Sequence, residues 1–248
     1  MGLGDEIMAL GRAEALYEAT GKKVAICRFG GYPRQHEAWD NHPAIDQNSS
    51  LKIIDGGGAR PYIKEWLGRQ AIYNMDYRAR AGKIHLTQDE IDFFKPKEKY
   101  AVVAPFLKEN ASPNKDWGFE NWEKVIKDFP IKVYQLLENE NHKTIKGAIG
   151  LHTKHFRLAA SVISRSSIVL CNEGGTHHMA ASFKIPAVVI FGSFVPPKVT
   201  GYDFHENISV QTDHGFCGKF DLCNECQKNL KSINPDFVRQ KAEAILNG

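Results

Sequence analysis

No apolar run in the sequence approaches the ~20 residues needed to cross a bilayer, which argues against a membrane span. No signal-peptide pattern opens it, and the expectation drawn is a cytoplasmic protein. Cysteine is scarce, five in 248 residues, and one of the five sits inside an apolar run. That usage fits a reducing compartment and excludes a disulfide scaffold. Internal repeats and low-complexity tracts are lacking too. Neither sign of charge dominates: the net charge of +3 suits an anionic substrate, but a solvated surface explains it equally well. With 42% hydrophobic and 25% charged residues, the chain has the composition of a globular enzyme. Its length allows one large α/β domain or two small ones.

The most informative stretch runs from Ile168 to Phe194. Ile168 to Cys171 and Ala187 to Phe191 are continuous apolar runs, as expected of parallel strands covered on both faces. Between them, Asn172-Glu173-Gly174-Gly175-Thr176-His177-His178 reads as a tight turn entering a short helix, with Thr176 as the candidate cap. Backbone N–H groups at a helix start, with the helix dipole behind them, form a ready anion site. Glu173 stands at the carboxyl end of a strand, where open α/β sheets bind ligands. The plainer alternative is a crossover whose glycines only turn the chain.

The chain opens with Gly2-Leu3-Gly4-Asp5, a glycine turn feeding a helix whose apolar positions are Ile7, Leu10, Ala13, Leu16 and Tyr17 and which stops near Gly21. Asp5 reads as an N-cap or as a functional carboxylate, the cap being the commoner role. Val24 to Cys27 and Leu51 to Asp55 read as short strands, and residues 30–50 as a long polar and aromatic loop. Gly56-Gly57-Gly58 is a flexible turn, and Pro61 to Leu67 is expected to be helical because Tyr62 and Trp66 lie four apart. Arg60, Lys64, Arg69, Arg78, Arg80 and Lys83 give this part a basic bias. From residue 100 onward, Tyr100 to Ala104 and Ile131 to Leu137 read as strands, with helices over Phe119 to Ile126, His155 to Ser164 and Pro235 to Leu246. Such alternation indicates a doubly wound parallel sheet.

In the tail, His214-x-x-Cys217-x5-Cys223-x-x-Cys226 lies in polar sequence and carries the ligand types of a structural zinc or iron site. Reduced thiols without metal are the alternative. A catalytic metal is not expected, because the cluster is far in sequence from Asp5 and Glu173.

The segment Asn172 to Ala181, followed by Ile185-Pro186 and Phe191-Gly192, resembles the signature of glycosyltransferase family 9, the heptosyltransferases of the lipopolysaccharide inner core. Asn114-Lys115-Asp116-Trp117-Gly118-Phe119 resembles the lysine-tryptophan element of that family, and Gly2 to Ile7 its first glycine-aspartate turn. The resemblance implies an α/β fold of the GT-B type, two Rossmann-like domains facing across a cleft. The N-terminal, acceptor-side one (residues 1–98) is reduced, and the donor-binding one covers residues 99–248. It further implies an inverting transferase that needs no cofactor for its chemistry and moves a sugar from a nucleotide-diphosphate donor to a hydroxyl acceptor. Asp5 would be the base, and Lys115 would neutralise donor phosphates. Glu173, Gly174, Gly175, Thr176 and His178 would hold the diphosphate and sugar, and Gly2 and Gly4 would form the first turn. Some relatives in the family also carry cysteine clusters in the tail. Glu173-Gly174-Gly175 departs from the family's usual Asp-Thr-Gly, and Glu138 and Glu140 both stand near its acidic nucleotide contact. The acceptor expected first is a saccharide. Other readings left open are the same donor chemistry on a nucleic-acid base or protein, or a non-catalytic nucleotide-sugar or nucleic-acid binding module. The oligomeric state stays open.

Overall fold

A computed structural model describes residues 2–55, 60–107, 110–138, 141–212 and 215–248. Helix α1 (Leu3–Thr20) ends on Gly21 at φ 68, whose N–H donates to the Tyr17 carbonyl. Strands β1 (Ala25–Cys27) and β2 (Lys52–Ile54) pair in parallel beside it. Residues 30–50 are less open than their composition suggests. A 3-10 turn at Glu37–Trp39 drives Trp39 into a small core with Leu10, Ala13, Ile26 and Ile53. The expected turn at Gly56-Gly57-Gly58 lies outside the described residues.

The helix expected over Pro61 to Leu67 is instead a hairpin, β3 (Ile63–Leu67) and β4 (Gln70–Tyr73). Gly68, at φ 59, lets the chain reverse through two residues and pairs Leu67 with Gln70, so turn geometry overrides the i,i+4 aromatic spacing. A short helix α2 (Gln88–Asp92) follows, with the Thr87 hydroxyl and the Glu90 carboxylate capping it reciprocally.

The rest of the chain builds one parallel sheet. Its elements are β5 (Tyr100–Ala104), α3 (Phe119–Ile126), β6 (Lys132–Leu137), β7 (Ile149–His152), α4 (Phe156–Ser164), β8 (Ile168–Asn172), α5 (Gly175–Ser182), β9 (Ala187–Gly192), α6 (Pro197–Thr200), β10 (Glu206–Ser209), α7 (Asn224–Ser232) and α8 (Pro235–Asn247). The spatial order is β10-β9-β8-β5-β6-β7. Counted within this sheet, that is 6-5-4-1-2-3, the doubly wound order whose direction reverses between its first and fourth strands. Side chains alternate between two cores. Val102, Val169, Cys171 and Val189 face one, with α4 and α5. Ala101, Val103, Leu170 and Ile190 face the other, with α3, α7 and α8. Both edge strands, β7 and β10, escape the sequence reading because they are short, half-exposed and partly polar. Helix α7 was likewise hidden in the polar tail.

Helix α1 joins this sheet to the N-terminal part. Its Ile7 belongs to the core under α4 and α5, while Ala9, Leu10 and Ala13 belong to the small core. Arg157 on α4 adds a polar fastening. Its guanidinium donates to both carboxylate oxygens of Glu90, to the Glu37 carbonyl at 2.7 Å and to the His85 carbonyl at 2.5 Å. Among the described residues, no helix is long and apolar enough to cross a membrane.

Candidate functional site

The sheet's reversal point lies between β5 and β8, and the crevice outside their carboxyl ends is where a doubly wound fold binds its ligand. A cavity of about 390 Å³ opens there, bordered by Ala104 at the end of one strand and by Asn172 and Glu173 at the end of the other. Lys115 enters from the loop after β5, and Gly174, Gly175, Thr176 and His178 from the start of α5. From the opposite wall come Gly2, Gly4 and Asp5 at the start of α1, with Arg60 and Tyr62 beside β3. Residues more than 160 positions apart, singled out from sequence, thus border one cavity. Glu138 borders it as well, whereas Glu140 lies outside the described residues.

Glu173 is buried and ion-paired with the Lys115 ammonium, and the Thr200 hydroxyl donates to its other oxygen at 3.4 Å. Burial alone would raise its pKa, but Lys115 and the neighbouring His177 hold it below the ordinary glutamate range. The Lys115 ammonium also rests on the Phe194 ring, 4.9 Å from its centre.

Asp5 is buried too. It accepts from the Tyr62 hydroxyl at 2.7 Å and from the Gly2 N–H at 3.1 Å, with the Arg60 guanidinium 3.5 Å away. It is therefore not the N-cap, which is Gly2, but the acidic residue three places on that bonds back to the cap. The same carboxylate caps a helix and faces the cavity.

Thr176 does not cap α5: the cap is Gly174, and Thr176 lies within the first turn. His177 does the fastening, its Nδ1 accepting from the Gly174 N–H at 3.1 Å while its Nε2 lies 3.0 Å from the Thr200 carbonyl. That occupies the Gly174 N–H and leaves the N–H groups of the first turn, which have no intrahelical partner, for an anion. His178 is buried with Nδ1 2.7 Å from the Tyr202 hydroxyl, and burial pushes its pKa well below the usual imidazole value, so it is neutral. Its ring packs on Gly4, where a Cβ would come within 2.4 Å of it. Gly175 likewise abuts Leu3, at 2.6 Å for a Cβ. These two glycines let the starts of α1 and α5 meet.

The sequence marks Tyr62 and Arg60 only as part of a helix and of a basic bias, and His177 only as part of the turn before α5, and it does not single out Thr200 or Phe194. The basic bias of this part does not form one patch: Arg69 pairs with Asp221 and Arg80 with Glu18, and of the six basic residues only Arg60 borders the cavity.

The Sγ atoms of Cys217, Cys223 and Cys226 lie within 4.8 Å of one another, while His214 is outside the described residues. Burial works against ionisation of Cys223, but backbone N–H groups of Cys226 and Glu225 hold its pKa below the usual thiol value. The cluster lies beside the turn that carries Lys115, because Cys223 donates its N–H to the Asn114 side chain at 2.9 Å.

No protein-family model matches the sequence, and no curated protein matches it. Solved structures do match its fold. The family 9 glycosyltransferase from Veillonella parvula DSM 2008 aligns over 100% of this chain and 95% of its own, at TM-score 0.66 and 14% identity. The iron-containing dodecameric glycosyltransferase TibC from enterotoxigenic E. coli H10407 aligns over 100% of this chain and 74% of its own, at TM-score 0.70 and 14% identity. The E. coli ADP-heptose lps heptosyltransferase II aligns over 68% of this chain at TM-score 0.52 and 16% identity, and the chain covers about half (54%) of that enzyme. The α/β fold with its six-stranded parallel sheet matches GT-B-like glycosyltransferase structures. At these identities the likeness is one of fold, and its structural neighbours are heptosyltransferases and family 9 glycosyltransferases.

Proposed function

We propose that this chain is a glycosyltransferase that moves a sugar from a nucleoside-diphosphate donor to a hydroxyl acceptor with inversion. One observation carries the reading: a carboxylate from the start of α1 and a lysine–glutamate pair from the strand ends of the doubly wound sheet border the same cavity. Residues 99–248 would be the donor unit and residues 1–98 the reduced acceptor-side unit. The TibC structure determined in complex with ADP-D-beta-D-heptose, at TM-score 0.52, supports a nucleotide sugar as donor.

In this mechanism Asp5 takes the proton of the acceptor hydroxyl as that oxygen attacks the anomeric carbon. The Tyr62 hydroxyl now donating to Asp5 stands in for the acceptor's and must give way to it. Charge grows on the departing diphosphate, and Lys115 with the free N–H groups of the α5 start stabilises it. Glu173 fixes the Lys115 head and has an oxygen for a sugar hydroxyl. Lys115 supplies the positive charge at the leaving group, so the mechanism takes no step through a metal.

The cysteines are assigned a structural zinc or iron ion. Three thiols within 4.8 Å match the soft donor set such ions take, and need draw in only slightly to the ~3.8 Å sulfur spacing that ~2.3 Å metal–sulfur bonds require. Cys217, Cys223 and Cys226 would hold it, and the ion would supply rigidity to the tail. A saccharide acceptor is favoured over a nucleic acid, because Arg69 and Arg80 are paired with acidic residues rather than joined in a phosphate-binding stripe. Use of a nucleotide sugar fits a cytoplasmic location.

The test is calorimetric titration with ADP, UDP and GDP followed by turnover with the matching nucleotide sugar. One nucleotide should bind, and Asp5→Asn should keep that affinity while losing turnover. A binding module would show equal affinity and no turnover in either protein.

A further inference from the structure

Asn114, next to Lys115, is fully buried and contributes its whole amide to the tail. Its Nδ2 donates to the carbonyls of Lys219 and Asp221, both at 2.8 Å, and its Oδ1 accepts from the Cys223 N–H at 2.9 Å. Beside it, the Ser112 hydroxyl donates to the Lys219 carbonyl at 3.1 Å and the Gln227 amide to the Pro113 carbonyl at 2.9 Å. The segment between two of the cysteines is therefore the bed on which the lysine-bearing turn lies. The other support of Lys115 comes from the same segment. Cys217 N–H donates to the Ser193 carbonyl at 2.9 Å and Gly218 N–H to that of Phe194 at 3.0 Å, and the Phe194 ring carries the ammonium. There is no slack on the far side: a Cβ on Gly218, at φ 64, would come within 2.1 Å of the Ala71 carbonyl oxygen.

We propose that Asn114 is a positioning residue that couples the cysteine cluster to the cavity, so that closing the three thiols around a metal ion sets Lys115 for a nucleoside diphosphate. The proposal rests on the donor-site and metal readings above. Metal closure pins the 217–226 segment, the segment pins Asn114, and Asn114 holds the peptide that carries Lys115. Without the ion the bed shifts and the ammonium moves off the phosphate position.

Coupling of this kind is reciprocal, which gives a readout independent of activity. The reduced, chelator-stripped full chain is titrated with Zn²⁺, and ADP affinity is measured with and without it. Zinc should tighten ADP about tenfold, and ADP should tighten zinc by the same factor. In Asn114→Ala each ligand should still bind while that factor falls to about one. A purely electrostatic effect of the added cation would survive the substitution, so full coupling in Asn114→Ala overturns the proposal. Should that variant fail to fold, Gln227→Ala at a partly exposed position removes one bond of the bed and should reduce the factor. An unchanged factor there overturns the proposal as well. If zinc and ADP both bind the wild-type chain without affecting each other, the coupling is wrong and both sites stand. A blank zinc titration instead removes the metal reading, and a blank ADP titration removes the donor reading.

Discussion

The two walls of the cavity are built differently. The C-terminal wall belongs to a six-stranded sheet with a core on each face, and its functional groups stand at strand ends and at a helix start. Among the described residues, the N-terminal wall has two parallel strands, a hairpin and a small core. What orders it is attachment to the larger sheet: Ile7 shares the larger core, Arg157 clamps three segments, and glycines allow backbone contact. Depth of core thus gives one wall its precision, and fastening gives it to the other.

That contrast can be broken in graded ways. The largest effect should come from the proposed base of the N-terminal wall. Asp5→Asn should lower kcat by about 10²–10⁴-fold, the usual worth of a general base, with ADP affinity little changed. Equal loss of affinity would mean that Asp5 serves only to hold the helix start. Next, Arg157→Ala should cost about 2–3 kcal/mol by urea denaturation. The figure is discounted from that of a fully buried pair because Glu90 is partly solvated. The loss should fall on amide-exchange protection of residues 24–54 before that of β5 and β8. Uniform loss would contradict fastening.

Gly11→Ala should cost about 1–3 kcal/mol by overpacking. Its Cβ would come within 2.1 Å of the Arg80 carbonyl oxygen, a backbone atom that cannot turn aside. A neutral result in thermal denaturation would show that α1 has room to move.

The two walls should also differ in the sign of their pH dependence. In the C-terminal wall, burial holds His205 at about 3 against an ordinary 6.5. A depressed histidine contributes stability that is full above its unfolded pKa and is lost as pH falls from 6.5 toward 3, at up to roughly 1.4 kcal/mol per pH unit. In the N-terminal wall, burial raises Asp55 from 3.8 to about 6 in spite of its partner Arg12. That contribution is full below 3.8 and is lost as pH rises through about 6. His205→Asn should flatten the acid limb of the stability profile and Asp55→Asn the rise of cost toward neutral pH. Profiles superimposable on wild type would remove both assignments. The smallest effect is a control: Arg69→Ala breaks an exposed pair and should cost under about 1 kcal/mol.

Legibility in the sequence followed the same divide. Strands covered on both faces, such as Ile168 to Cys171, write continuous apolar runs that nothing else explains. The glycine turns were legible because close backbone approach restricts residue type, whereas Lys115 was singled out only through the family resemblance. The hairpin was misread because Tyr62 and Trp66 satisfy a helical spacing while the deciding event, a left-handed glycine at 68, is local. The place of Tyr62 and Arg60 at the cavity was lost with it. The contacts of His177 and Asn114 were illegible for another reason: their partners, Thr200, Lys219 and Cys223, are 23 or more residues away, and no pattern along a chain records such meetings.

The contact of Gly4 with His178 and of Gly175 with Leu3 also has a mechanical meaning. Two surfaces without clearance can roll on each other but cannot slide, so the joint between the helix starts is a pivot. Any widening of the cleft is then a rotation about that point. Asp5 and the α5 turn, beside the axis, hold their spacing.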